Sequence, residues 1–327
     1  MRMIKRLSMA LMGVAVLGLA AGEAQAKFPD EGKRFRWILG FGAGGASDFL
    51  ARTVAKELEK VTKTKVVIEN RRGASGIIGA GVAAKAKPDG YTFVLVSSSY
   101  FNNAALGSDK FTFKPVQAFE PVTILARTYN IVVVNKKFPV KSVKELIDYA
   151  KKNPGKINYS SGGIGTGTHF ETEYFQWKTG TKMVHIPFKG AKNALLDVMA
   201  GRIPLMFSGA AVSLPQIRAG KVRPLAVLTP EPVDELPGIP TVNQTVKGFS
   251  STVWYALFAP KGTPRDRINY LNKAFGKALS NKSLIKTLGN RGFKPTPSTP
   301  EGMLAKINEH LKLVPEVAQK TNFRLKN

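Results

Sequence analysis

Phe35-Arg36-Trp37-Ile38-Leu39-Gly40-Phe41-Gly42-Ala43-Gly44-Gly45-Ala46-Ser47-Asp48-Phe49 passes from a largely apolar run, through six residues that fit G-x-G-x-x-G, towards a helical pattern of Leu50, Val54, Leu58 and Val61. Lys65 to Glu69 then reads as a strand, which completes a βαβ unit with a glycine loop at the start of its helix. Two chemistries use that device. A dinucleotide enzyme would set a pyrophosphate on the loop, with Glu69 on the ribose and Arg71 and Arg72 near a 2′-phosphate. A simpler anion site needs only the unpaired N–H groups of the helix start, and consecutive Gly44-Gly45 suits a backbone that bends to present them.

The pattern repeats along the chain. A Gly- and Ala-rich helix from about Gly76 to Ala86, the turn Pro88-Asp89-Gly90 and a buried strand Thr92 to Ser97 form a second unit, opening into Ser98-Ser99-Tyr100-Phe101. A β-rich passage covers Val122 to Val134, and Ser142 with Glu145 reads as a capping box for a helix stopped at Asn153-Pro154-Gly155. Strand Ile157 to Ser160 runs into a second glycine loop, Gly162 to Gly167, where Thr168 and Glu171 read as another capping box for a helix to about Lys178. Strand Met183 to Pro187, a helix around Asn193 to Met199, and strands Leu205 to Phe207 and Leu225 to Leu228 complete this half. After an irregular connection, Pro230 to Gly248, come strand Thr252 to Phe258 and two helices, the first opened by Thr263-Pro264, expected to pack back on the first half. The reading is an α/β chain with two mostly parallel sheets, each with a strand, glycine loop and helix. Two helix N-termini aimed at one cleft favour capture of a carboxylate or phosphate.

The chain start and the composition narrow the chemistry. Arg2, Lys5 and Arg6 precede the apolar stretch Leu7 to Ala21 and the cleavage pattern Ala24-Gln25-Ala26, which reads as a secretory signal peptide and places the mature protein in a periplasm. A diffusible nicotinamide cofactor is not expected there, and no cofactor is assigned. The absence of cysteine excludes disulfides, thiol catalysis and lipid attachment at cysteine. Lys and Arg outnumber Asp and Glu by 49 to 22, a formal charge of +27 that draws in anions. The basic residues are dispersed, without a basic helix or finger spacing, which argues against nucleic acid. Gly73-Ala74-Ser75-Gly76 lacks the spacing of a nucleophile elbow, and His169, His185 and His310 are too scattered for zinc. His310 reads as a surface residue and His185 as a structural hydrogen-bonder. His169, in the first turn after the second loop, either orients that loop or reaches the ligand. Phe41, Tyr100, Phe101 and one of Trp254 and Tyr255 are expected to line the cleft. Asp48 is placed first as structural, against the helix dipole.

Several motifs in order resemble the solute receptors of tripartite tricarboxylate transporters, the Bug or TctC-type receptors: Phe41 to Asp48 against PFxAGGxxD, Val67 to Ala74 against VVENRPGA, and Pro88-Asp89-Gly90-Tyr91-Thr92. Lys141 to Leu146, Asn158 to Gly162, His185 to Gly190 and Leu257 to Pro264 extend the resemblance over essentially the whole mature chain. It implies two Rossmann-like α/β domains of a type II periplasmic binding protein with a ligand cleft between them. After the signal peptide, residues 1–26, one domain takes 27–127 with 255–327 and the other 128–254, hinged near Thr128 and Trp254. It implies a monomeric, non-enzymatic receptor that delivers a small di- or tricarboxylate, or an aromatic carboxylate, to membrane permease subunits. A periplasmic enzyme acting on a small organic acid is the alternative. Carried over by motif, the contacts are Phe41, Ala43, Gly44, Ala46 and Asp48 in the first loop, Ser97, Ser98 and Tyr100 at a strand end, Gly162, Gly163, Gly165, Thr166 and His169 in the second loop, and Ser208. Glu69 to Arg72 becomes a structural segment. Gly40 stands where the family has Pro. Ser208 stands where many members carry Asp, which removes a partner for a ligand ammonium and argues against amino acids. Tyr100 with Phe101 tilts the ligand towards an aromatic acid.

Overall fold

The computed structural model describes residues 28–319, of which those from 34 onward form one compact unit. The signal-peptide reading falls on residues 1–26, outside the described residues. The first half runs β1 (Phe35–Leu39), α1 (Ala46–Thr62), β2 (Val66–Asn70), α2 (Ile77–Ala84), β3 (Thr92–Ser97), α3 (Ser98–Ala105) and β4 (Phe119–Thr128). Then come β5 (Asn130–Val134), α4 (Val143–Lys152), β6 (Asn158–Ser161), α5 (Gly167–Thr179), β7 (Val184–Pro187), α6 (Ala191–Met199), β8 (Leu205–Gly209), α7 (Ala210–Arg218), β9 (Arg223–Val227) and α8 (Val242–Thr245). The chain closes with β10 (Val253–Pro260), α9 (Arg265–Leu279), α10 (Lys282–Gly289), β11 (Lys294–Pro295) and α11 (Pro300–Gln319).

Two sheets form, in the orders β11-β4-β10-β3-β1-β2 and β7-β6-β8-β5-β9. They are mixed rather than mostly parallel. β1 is parallel to β2 and β3, and β6 to β7 and β8, but β10 and β5 run antiparallel to both of their neighbours. These two strands are the ones that carry the chain across. The β-rich passage Val122 to Val134 is two strands in different sheets, with Tyr129 alone between them, and the return comes through residues 228–252 into β10. The crossings are tied together: Leu228 N–H donates to the Asn130 carbonyl (3.0 Å) and Ser251 N–H to the Leu228 carbonyl (2.7 Å).

The apolar runs of the sequence are explained by burial on both faces of the central strands. On one side of the first sheet Trp37, Phe93 and Phe275 meet edge-on, with ring centroids 5.3–5.6 Å apart, which seats α9. On the other, Ile38, Val94, Val96, Phe101 and Trp254 pack with Met303 and Ile307 of α11. Each such side chain contributes roughly 1.5–3 kcal/mol of burial. Four helices have no counterpart in the sequence reading: α3, α7, the short α8 and α10. α3 is rich in Ser, Asn and aromatic residues, weak helix formers that tertiary burial holds in place, and α7 contains Pro215.

Candidate ligand-binding site

The first glycine loop lies on the turn before α2. A Cβ on Gly40 would stand 2.4 Å from Gly76 Cα, and one on Gly79 2.8 Å from Gly40 Cα, so backbone touches backbone here. Asp48 braces the loop from behind. Only 5% exposed, it accepts from Gly44 N–H (2.9 Å), Arg52 Nε (3.0 Å) and Asn70 Nδ2 (3.1 Å), and Asn70 also donates to the Phe41 carbonyl (2.9 Å). Burial raises the Asp48 pKa, but the bonds from Arg52, Gly44 and Asn70 outweigh it and hold the carboxyl below its ordinary range. The carboxylate therefore acts on the loop, and not only on the helix dipole against which the sequence placed it. Ala43 and Gly44 are exposed, Phe41 and Ala46 half-buried, and Gly45 gives α1 no side-chain cap.

The second loop is built on side-chain hydroxyls and imidazoles. Thr166 Oγ1 donates to the Gly163 carbonyl (2.7 Å), Thr168 Oγ1 accepts from Gly162 N–H (3.1 Å), and Ser161 Oγ accepts from Gly163 N–H (3.1 Å). His169 Nδ1 accepts from Gly165 N–H (3.3 Å), and its ring stacks on His185 at 3.9 Å, with Tyr159 beyond. Burial, and then the charge of His185, push the His169 pKa down to about 3, and burial takes His185 down to about 4. Both rings are neutral at pH 7. Of the two roles open to His169, the geometry supports orienting the loop. The expected capping box at Thr168 and Glu171 does not form: α5 begins two residues earlier, after Thr166. Glu171 turns instead to Asn130 and Ser251 at the two crossings, and full burial pushes its pKa up to about 7. The Ser142 cap does form, accepting from Glu145 N–H, while the Glu145 carboxylate returns to Lys141 N–H.

Two side chains that the sequence reading did not single out as contacts, one on the turn before α2 and one on α3, bond to the second loop. Ser75 Oγ donates to the Ile164 carbonyl (2.9 Å), and Asn103 Nδ2 donates to the Gly165 carbonyl (2.9 Å) and to that of Ser99 (2.8 Å). Ser75 and the Ala74 before it take positive φ angles of 53° and 45°, a conformation that costs energy in non-glycine residues. The only signal was their place beside Gly73 and Gly76. Around the same edge, α3, α5, α6 and α7 start at Ser97, Thr166, Gly190 and Gly209 without a side-chain cap. Their first N–H groups are therefore not taken up by a capping side chain.

Other predicted contacts fall elsewhere. Tyr100 is 1% exposed and donates to the Pro115 carbonyl (2.7 Å), while Phe101 stacks on Trp254 at 5.0 Å, so both aromatics belong to the core and not to a cleft wall. Trp254 and Tyr255 are both buried. Tyr255 packs against Phe293 on the opposite side of its strand, and burial pushes its pKa up to about 12 despite a bond to Ser47. His310 is not a surface residue: its Nε2 meets Asn102 Oδ1 at 2.7 Å and its ring abuts Phe101 and Trp254. The alternating helix face hid this, because its one buried stripe passes through His310. Ser97 Oγ bonds Ser99 Oγ (2.7 Å), and Ser98 is buried at the first position of α3. Ser208 is fully enclosed, and its Oγ has no hydrogen-bond partner among the described residues. A groove of about 590 Å³ along α1 and α10 reaches Gly44 and Asp48 but no residue of the second loop, so it is not the space between the loops.

The profile of the TctC family, described as the tripartite tricarboxylate transporter family receptor, matches residues 50–323. The chain belongs to this family. A solved periplasmic transporter structure is similar to the receptor with 39% identity and a TM-score of 0.85 over 90% of this chain and 99% of that one. An R. palustris protein solved with adipate shares 32% identity, with a TM-score of 0.85 over 89% and 97% of the two chains. MatC from Rhodopseudomonas palustris, solved with bound malate, shares 26% identity, with a TM-score of 0.81 over 87% and 98%. The receptor thus has the fold of periplasmic binding proteins and is a binding protein rather than an enzyme.

Proposed function

We propose that the receptor binds a small aliphatic dicarboxylate between its two glycine loops and delivers it, from the periplasm, to the permease of a tripartite transporter. The observation that supports this is two strand-to-helix turns without side-chain caps, the first packed through Gly40 on Gly76 of the turn that carries Ser75, the second bonded by Ser75 and Asn103. Amide donors and helix dipoles from two sides suit an anion with a carboxylate at an end. Adipate and malate in the relatives' structures agree in class. The earlier tilt towards an aromatic acid rested on Tyr100 and Phe101 facing the ligand, and with both in the core it is dropped.

In this reading, the contacts are the exposed and half-buried backbone of Phe41 to Ala46 and Gly162 to Ile164, with the buried Gly165, Ser98 and Thr166 beside them. Asp48 and His169 shape the loops. The two domains divide at the crossings near Thr128 and Trp254, and a cleaved signal peptide delivers a monomer. Ser208 brings no charge for an ammonium group, so amino acids are disfavoured. Calorimetry with adipate, malate, benzoate and aspartate tests this, with micromolar binding of a dicarboxylate expected. Failure of both dicarboxylates together with tight binding of aspartate would overturn it.

A further inference from the structure

Among the described residues, three arginines around the first loop are paired and a fourth is not. Glu69 accepts from Arg36 Nε (2.6 Å) and Arg71 Nε (2.5 Å), and Asp48 holds Arg52. Arg72 is exposed and makes no ion pair or hydrogen bond among the described residues. Its position is not that of an ordinary surface cation. The side chain runs beside the loop, with Cδ 3.9 Å from where a Cβ on Gly42 would stand. Three residues further, Ser75 touches Ile164 of the second loop. Arg72 therefore stands at the rim of the space between the loops. The motif VVENRPGA has Pro at this place, so the cation belongs to this chain.

We infer that Arg72 is a specificity-determining residue, whose guanidinium meets the distal carboxylate of a diacid when the first carboxylate rests on the loop amides. A planar guanidinium takes a carboxylate through two parallel hydrogen bonds. No acidic neighbour has to be displaced first, and an exposed side chain loses little hydration on pairing. The inference rests on the carboxylate-receptor reading above. It adds that the receptor prefers a diacid to a monoacid of equal length.

The test is calorimetry, direct or by competition, with adipate and hexanoate on the full mature receptor, on Arg72→Gln, and on Lys152→Gln as a control for the overall positive field. Arg72→Gln is expected to lower the preference for adipate over hexanoate by about five- to tenfold, the scale of one net hydrogen bond at an exposed site, and to flatten the salt dependence of adipate binding. Lys152→Gln is expected to leave the preference unchanged. An unchanged preference in Arg72→Gln, or an equal fall in Lys152→Gln, overturns the assignment and leaves the receptor reading standing. A wild-type protein that binds neither acid is assayed with malate against butyrate in the same way, and failure there too overturns both.

Discussion

Gly165 and Gly167 sit two residues apart in one loop and are indistinguishable in the sequence. The structure separates them. Gly165 has φ +76°, and a Cβ there would lie 2.7 Å from Asn103 Oδ1; Gly167 has ordinary φ and open space around it. Gly165→Ala is expected to cost about 1–3 kcal/mol of stability in urea unfolding and to weaken ligand binding, because the strained position also carries the Asn103 contact. Gly167→Ala, at the first position of α5, is expected to change stability by less than about 1 kcal/mol in either direction. Equal effects of the two substitutions would show that the loop is not held as described. The same limit governed the rest of the site. The glycines and the helix starts were legible because backbone needs are written in residue type. Ser75 and Asn103 were not, because their role depends on what lies across the gap.

At the scale of the element, α5 carries a titratable group on each of two sides. Its first turn stacks His169 on His185, and the next residues send Glu171 into the crossings. The histidines have an ordinary pKa of 6.5 and folded values of about 3 and 4, so the unfolded chain binds more protons between those limits. Their contribution is complete above pH 6.5 and is lost as pH falls towards 4; His310, also near 4, acts in the same direction. Glu171 does the reverse. With an ordinary value of 4.5 and a folded value of about 7, it stabilises fully below pH 4.5 and loses that contribution as pH rises through 7. Glu171→Gln keeps the hydrogen-bonding shape without the charge. Its melting temperature relative to wild type is expected to be several degrees higher at pH 8 than at pH 5, checked by circular dichroism; an equal difference at both pH values would refute the burial argument. The sequence placed α5 to within two residues through its glycine loop and its length. It assigned Glu171 to a cap because S/T-x-x-E is a local pattern, whereas two strand crossings from distant parts of the chain claimed the side chain.

Across the whole molecule, the two sheets are joined at one side and latched at the other. On the joined side Thr128 Oγ1 donates to the Gly292 carbonyl (2.8 Å), Arg291 reaches the Ala211 carbonyl (3.1 Å) and Arg218 that of Asn290 (2.9 Å), beside the chain crossings. On the latch side the hydrogen bonds are those of Ser75 and Asn103 to the second loop. In the hinged receptor proposed above, a ligand favours closure only through contacts it makes in the closed form, so the latch and the ligand add in free energy. Two hydrogen bonds of roughly 0.5–1.5 kcal/mol each would shift that open-to-closed balance by about five- to 150-fold. Removing them in Ser75→Ala/Asn103→Ala lowers the closed population, and the apparent affinity falls by the same factor. Small-angle scattering is expected to show the ligand-free double variant more expanded than ligand-free wild type, with saturating adipate bringing both to one compact profile. Loss of affinity without expansion would place the two side chains in ligand contact rather than in the latch, and expansion that adipate does not reverse would mean that they hold the fold itself.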